Sequence, residues 1–165
     1  MNDKEQELLL LIEKEGRMSE DKLAKMLDTS LDDVSEMLRS LEKRKIILGY
    51  SAIIDWTKVN VSEAVTAMID VKVTPKRGVG FDEVAERIYR FKEVKALYLM
   101  SGTYDLSVVI EGRSMSEIAN FVSEKLSTLD SVISTTSHFQ LKKYKHDGVV
   151  FGEDDEGDHR MVVSP

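Results

Sequence analysis

The 165-residue chain contains no cysteine. Disulfides and thiolate metal sites are therefore excluded, and the composition suits a reducing compartment, so a cytoplasmic location is expected. Long apolar runs are missing as well. The longest, LLLLI at 8–12, falls far short of the roughly 18 apolar residues a membrane span needs, and no membrane association is expected. The opening MNDKEQE has neither the basic start nor the small-residue cleavage site of a secretory leader, and none is expected. Nucleophile elbow, phosphate loop, HExxH and dinucleotide fingerprint are all absent, leaving no residue on which to place a catalytic step. His138, His146 and His159 are dispersed and have no cysteine partners, so neither a metal site nor a cofactor is expected.

Positive charge is also in short supply. The formal net charge of −7 argues against a nonspecific coat for nucleic acid, which would be basic. Much of the acidity lies at the end, where GEDDEGDHRMVVSP carries five acids and one arginine. The first 47 residues hold twelve acids against nine lysines and arginines. EDDEGD (153–158) lacks calcium-loop spacing and reads as a solvated acidic turn, and the MVV after it as a short edge strand. KRGVG (76–80) matches no phosphate-loop spacing and reads as a flexible loop.

What is present is ordinary globular material, 42% hydrophobic and 32% charged, with two successive periodicities. The first third follows the 3.6-residue repeat. Leu8, Leu11 and Ile12 mark a helix over 3–15 that stops near Gly16. Ser19 caps a second helix, with Leu23, Met26 and Leu27 inward. Asp28-Thr29-Ser30 breaks the pattern, and Ser30 caps a third helix with Asp33 at the capping-box position. Leu31, Val34, Leu38 and Leu41 fall on one face of it. Three helices with a tight turn between the last two form a helix-turn-helix, and its second helix is the one that enters a DNA groove.

That helix, within TSLDDVSEMLRSL (29–41), presents Asp32, Asp33, Glu36, Arg39, Ser40, Lys43 and Arg44 opposite the buried stripe. Acids fill its first half and bases its second, an order that the helix macrodipole alone would favour. Read as a DNA interface, Ser35, Glu36 and Arg39 reach base edges. Thr29, Ser30, Lys43 and Arg44 lie near phosphates, and Lys22 and Lys25 add further positive charge.

From residue 47 the period becomes two. ILGYSAIID reads as an extended segment. TAMIDVKV (66–73) alternates Ala67, Ile69, Val71 and Val73 against Thr66, Met68, Asp70 and Lys72. A helix over FDEVAERIYRF follows, then strands at 94–101 and 105–112 joined by a short turn. A helix over 114–129, with Met115, Ile118, Ala119, Val122 and Leu126 inward, precedes a last strand at 131–144. The order βαββαβ predicts a ferredoxin-like antiparallel sheet with both helices on one face, and the uncovered face predicts dimerisation. SGTYD (101–105) and STTS (134–137) suit a plain hairpin and strand. Adjacent hydroxyls on a strand would equally suit a small polar ligand or a partner subunit.

Three blocks carry a resemblance: LxxLEKRKIILGYSAIID at 38–55, EVKALYLMSGTYDLSVVIEG at 93–112 and LDSVISTTSHFQLKKYK at 129–145. In order and spacing they resemble the Lrp/AsnC family of transcriptional regulators. The resemblance implies an α+β chain with an N-terminal three-helix helix-turn-helix domain (1–47) and a linker strand and hinge (48–62). A C-terminal βαββαβ ferredoxin-like effector-binding and oligomerisation domain (63–146) follows, with an acidic extension (147–165) beyond the family's core. It implies dimers that assemble further, up to octamers, double-stranded DNA as partner, and an amino acid or similar small effector. Carried over by position, the effector contacts are Met100, Gly102, Tyr104, Asp105, Thr135, Thr136 and Ser137. Two departures stand out: Met37, after Glu36, replaces a usual arginine, and Lys45 replaces a usual glycine. A tetrapyrrole decarboxylase group shares this two-part architecture, but that reading needs a histidine in the hairpin cleft, and SGTYD has none.

Overall fold

A computed structural model describes residues 2–59, 64–74 and 80–152 of the chain. The chain divides into two units, Met1–Ile54 and Asp55–Pro165.

In the first unit, α1 (Asp3–Lys14), α2 (Glu20–Met26) and α3 (Leu31–Lys43) each start on a side-chain cap: Asn2, Ser19 and Ser30. The core is Leu8, Leu23, Ala24, Leu27, Val34, Leu41 and Ile47. It departs from the expected stripes at two places. Met26 and Leu31 are about half exposed, and Ala24 is buried instead: Met26 is the last residue of α2 and Leu31 the first of α3, so both sit at helix ends. The turn that separates α2 from α3 follows from Asp28, which takes a left-handed φ of 47°. This lets Thr29 N–H reach the Ala24 carbonyl at 3.0 Å and close α2, as a helix C-cap does.

Glu5 ties the ends of the unit together. Its carboxylate accepts from Asn2 N–H at 3.0 Å and from the Arg44 guanidinium at 2.6 Å, so the start of α1 is joined to the end of α3. It is the one buried charged side chain among the described residues, and burial of a charge is tolerable only when it is paired in this way.

In the second unit β1 (Val65–Val73), α4 (Asp82–Tyr89), β2 (Val94–Leu99), β3 (Leu106–Gly112), α5 (Met115–Phe121) and β4 (Val132–Phe139) follow in the expected βαββαβ order. The sheet order is β2-β3-β1-β4, and every pairing is antiparallel. Alternate residues of β1 and β3 (Ala67, Ile69, Val71, Val73; Leu106, Val108, Ile110) pack against Val84 and Ile88 of α4 and against Ile118, Phe121, Val122 and Leu126 of the α5 region. Both helices therefore cover the same face. Met115 and Ala119, expected inward, are exposed, and Phe121 takes the inward place. After α5 the helix loosens into a π-turn, Val122–Leu126, in which Ser127 N–H reaches the Val122 carbonyl at 2.8 Å. Phe121 meets Phe91 edge-on, with ring centres 5.4 Å apart, and Lys125 bonds Glu93 at 2.7 Å.

Two other expectations are revised. The ILGYSAIID segment forms no ladder among the described residues, and Leu48, Tyr50, Ile53 and Ile54 are exposed along it. A run with strand periodicity becomes a strand only when a neighbour takes up its N–H and C=O groups. The last strand stops at Phe139. The chain then turns into a small hairpin, β5 (Lys145–His146) against β6 (Val149–Val150). The loop at 76–79 and the acidic and MVV segments at 153–158 and 161–163 lie outside the described residues.

Lys45, where the resemblance expects glycine, has φ 58°. Lys45 N–H bonds Glu42 O at 3.0 Å and Ile46 N–H bonds Leu41 O at 2.9 Å, the paired bonds of a glycine-type helix end. A side chain in this region is strained by about 1 kcal/mol. Lys45→Gly should therefore raise the urea-unfolding free energy by about 0.5–1 kcal/mol, part of the relief being offset by a freer unfolded chain. A variant no more stable than the parent would contradict the assignment.

Candidate nucleic-acid and effector sites

The acids at the start of α3 do not simply face outward. Asp33 turns its carboxylate back on the cap: it accepts from the Ser30 hydroxyl at 2.6 Å and the Thr29 hydroxyl at 3.0 Å. In return Ser30 Oγ accepts from Asp33 N–H at 3.1 Å. The Ser30 hydroxyl foremost, then that of Thr29, holds the Asp33 carboxyl below the ordinary aspartate range. The positive end of the helix is thus neutralised from within, as a capping box does. Thr29 and Ser30, expected near phosphates, are engaged in that cap. Ser35, expected near a base edge, is half-buried and donates to Glu20 at the start of α2.

The cations sort into two groups. Arg44 is committed to Glu5. Lys22 pairs with Glu15 at 3.2 Å and Lys25 with Asp21 at 2.6 Å, all four well exposed. Such surface pairs contribute about 0–1 kcal/mol and are easily exchanged for a phosphate. Arg39 and Lys43 have no partner among the described residues and lie exposed along α3 with Glu36. Met37 is partly buried against the helical core, so an arginine there would have to leave the position its side chain now fills. Neither Glu5, which anchors Arg44, nor Glu20, which holds Ser35, was singled out by sequence pattern. A carboxylate two or three residues into a helix reads only as a favourable first-turn charge.

The candidate effector residues fall in two places. The turn after β2 carries Met100, Gly102, Tyr104 and Asp105. Met100 N–H bonds Asp105 O at 2.8 Å and closes the turn, and Gly102 at φ 143° supplies a conformation that side chains avoid. Asp105 is tied to the sheet, its N–H on Val71 O at 3.1 Å and its carboxylate accepting Val73 N–H at 2.9 Å. The plain-hairpin account of Asp105 is therefore sufficient for its own geometry. Tyr104 reaches across to β4, with its hydroxyl 3.3 Å from Thr136 Oγ1.

On β4 the three hydroxyl residues part company. Thr135 lies opposite Val71 and Ser137 opposite Ile69, on the helix-covered side, while Thr136 lies opposite Asp70 on the open side. Successive strand residues must alternate in this way. The geometry brings Tyr104 and Thr136 together, and a ligand reaching Thr135 and Ser137 as well has to lie along the edge of β4. Beside Thr136 the open face holds a pair that motif reading did not single out: His138 Nε2 is 3.1 Å from the Asp70 carboxylate. The available signal was Asp70 at an outward position of β1, two residues from Met68 and Lys72. Around it Met68 and Tyr98 are about half exposed.

Comparison with known proteins agrees with this architecture. A family model described as the Lrp/AsnC ligand binding domain matches residues 66–150. YugG of Bacillus subtilis, described as an uncharacterized HTH-type transcriptional regulator, is 62% identical over 165 residues, covering 100% of this chain and 99% of its own. The HTH-type transcriptional regulator LrpA of Pyrococcus horikoshii is 28% identical over 145 residues, covering 88% of this chain and 99% of its own. Among solved structures, the Mycobacterium tuberculosis leucine response regulatory protein LrpA superposes with a TM-score of 0.71 at 22% identity, covering 89% and 97% of the two chains. A Neisseria meningitidis transcriptional regulator in complex with L-Met superposes with a TM-score of 0.68 at 22% identity, covering 88% and 93%.

The lowered Asp33 carboxyl sets a pH dependence. A carboxyl whose folded value lies below its unfolded one stabilises the fold above the unfolded value, and that contribution is lost as pH falls through the folded value. Glu5, held down by Asn2 N–H and then Arg44, and Glu93, held down by Lys125, act in the same direction. The thermal midpoint should therefore hold from neutral pH to about pH 4 and fall below it. Asp33→Asn should lower the midpoint at neutral pH and make the acid decline shallower. An acid decline as steep as the parent's would show that the cap carboxylate contributes nothing.

Proposed function

This chain belongs to the Lrp/AsnC family of transcriptional regulators, and from that premise we propose that its DNA binding is set by a small effector, an amino acid or a close analogue. The DNA-binding helix-turn-helix is the Met1–Ile54 unit. In the proposed interface α3 enters the major groove, Arg39 and Glu36 approach base edges, and Lys43, Lys22 and Lys25 approach phosphates, with Ser35 held at the margin by Glu20. The observation that carries this reading is that the Asp33 carboxylate is folded back onto the Ser30 and Thr29 hydroxyls. It engages one of the three carboxylates of that face, while Arg39 and Lys43 stay exposed as its available cations beside Asp32 and Glu36. Thr29, Ser30 and Arg44 then act by holding the helix.

The effector reading is supported by the polar strip on the second unit, where Tyr104 and Thr136 meet beside Asp70. Hydroxyls next to a carboxylate match the ammonium and carboxylate of an amino acid. Gly102 and Met100 shape the turn, Asp105 fixes it to the sheet, and Thr135 and Ser137 extend the contact along the β4 edge. In this mechanism the open sheet face, with Met68 on the interior strand β1 and Tyr98 on the edge strand β2, meets the same face of a second copy, and larger rings up to an octamer set the spacing of the heads. Several modest heads on one assembly act at high mutual concentration, so individually weak contacts add up. An effector changes regulation only to the extent that it binds one assembly better than another.

A second reading, a sensing module without specific DNA binding, is favoured by one observation: Glu36 stays exposed in the middle of the presented face. Binding of the full chain to its own upstream DNA, at several salt concentrations and with a panel of amino acids, separates the two. The regulator reading predicts sequence preference at low salt, a 5- to 150-fold change (about 1–3 kcal/mol) with the right effector, and a loss of similar size for Arg39→Ala. No sequence preference at low salt would leave the sensing module standing.

A further inference from the structure

We propose that the hairpin of β5 and β6 is a second contact for the phosphate backbone of duplex DNA, distinct from the helical head. This rests on reading the protein as a DNA-binding regulator. The hairpin and the residues leading into it concentrate positive charge in a chain of net charge −7: Lys142, Lys143 and Lys145, with His146 next, against a single aspartate, Asp147, in the turn. All five side chains are exposed.

The element is built rather than trailing. Asp147 and Gly148 have φ 44° and 82°, the two positive values that the tightest hairpin turn requires. Lys145 stands opposite Val150 and His146 opposite Val149, and Phe151 N–H bonds Tyr144 O at 2.9 Å. The Lys142 ammonium lies 4.7 Å from the centre of the Tyr144 ring, and that of Lys143 lies 5.2 Å from the Phe151 ring. A ring face holds an ammonium in place without cancelling its charge. Among the described residues none of the three lysines has a carboxylate partner.

The hairpin gains little from the core. Leu141 is 91% exposed, and Val149 and Val150 are about half exposed. A two-stranded hairpin that buries so little among the described residues is marginal in water, so a partner is what would hold it firmly. Lysine is depleted at protein–protein interfaces and is the ordinary ligand of phosphates. A duplex is therefore the occupant that the charge favours over a protein surface. The acids of 153–158 follow at once in the sequence. They weaken any long-range attraction, so the expected contact is short-range and formed only once DNA is already held.

The test is the salt dependence of binding of the full chain to its upstream DNA. Replacing Lys142, Lys143 and Lys145 with glutamine (K142Q/K143Q/K145Q) should make the log–log slope shallower by about 0.9 for each phosphate no longer neutralised, up to about 2.7. Replacing the same three with arginine should keep the slope, and sedimentation should report the parent's size for both variants. An unchanged slope in the glutamine variant would overturn the proposal. A slope that falls only together with a smaller assembly would overturn it too, because the lysines would then act between subunits. A parent that binds no DNA at low salt would remove this inference and the regulator reading together. A parent that binds with sequence preference, beside an unchanged glutamine variant, would remove this inference alone.

Discussion

Strand alternation in β1 is the constraint on which the second unit depends. Ala67, Ile69, Val71 and Val73 are buried under two helices, which forces Thr66, Met68, Asp70 and Lys72 onto the opposite side. With β1 in the interior of the sheet, that side inherits Val109 and Ser107 from β3, Tyr98 from β2, and Thr136 and His138 from β4. The result is a mixed surface, apolar at Met68 and Tyr98 and polar where Asp70 meets His138. A shift of register by one residue would turn the whole set around, so the core and the open face are specified by the same residues.

The first unit solves a different problem, the placing of acids on a helix that belongs to a DNA-binding head. Its solution is local. Asp33 is folded onto Ser30 and Thr29, and Glu5 onto Asn2 and Arg44, so two carboxylates serve helix ends and one arginine serves the core. With Asp33 and Arg44 so engaged, the presented side of α3 keeps two acids, Asp32 and Glu36, against two bases, Arg39 and Lys43.

Much of the fold was legible because it rests on periodicity and caps. Ser19, Ser30 and Asp33 read correctly as helix starts, and the period-2 alternation of TAMIDVKV marked β1. The errors came where tertiary context decides. Met26, Leu31 and Met115 fit an inward stripe but sit at helix ends, and Ala119 falls on the exposed side of α5. The segment at 47–55 has strand periodicity but no ladder within the described residues. Among the candidate effector residues, Tyr104 and Thr136 came from the family resemblance rather than from local pattern, and their hydroxyl oxygens lie 3.3 Å apart. Spacing could not reveal that Asp105 is held by Val73 N–H, or that Arg44 is tied to a glutamate 39 positions away, because long-range pairings leave no mark on local sequence.

Several heads reach one duplex only if the open sheet face is covered by a second copy of the chain. Sedimentation velocity of the full chain at micromolar concentration tests this most directly. The predicted result is a species of at least two 18.7 kDa chains, reduced to one by Met68→Glu at the centre of the face. A parent that sediments as a lone 18.7 kDa protomer would contradict it.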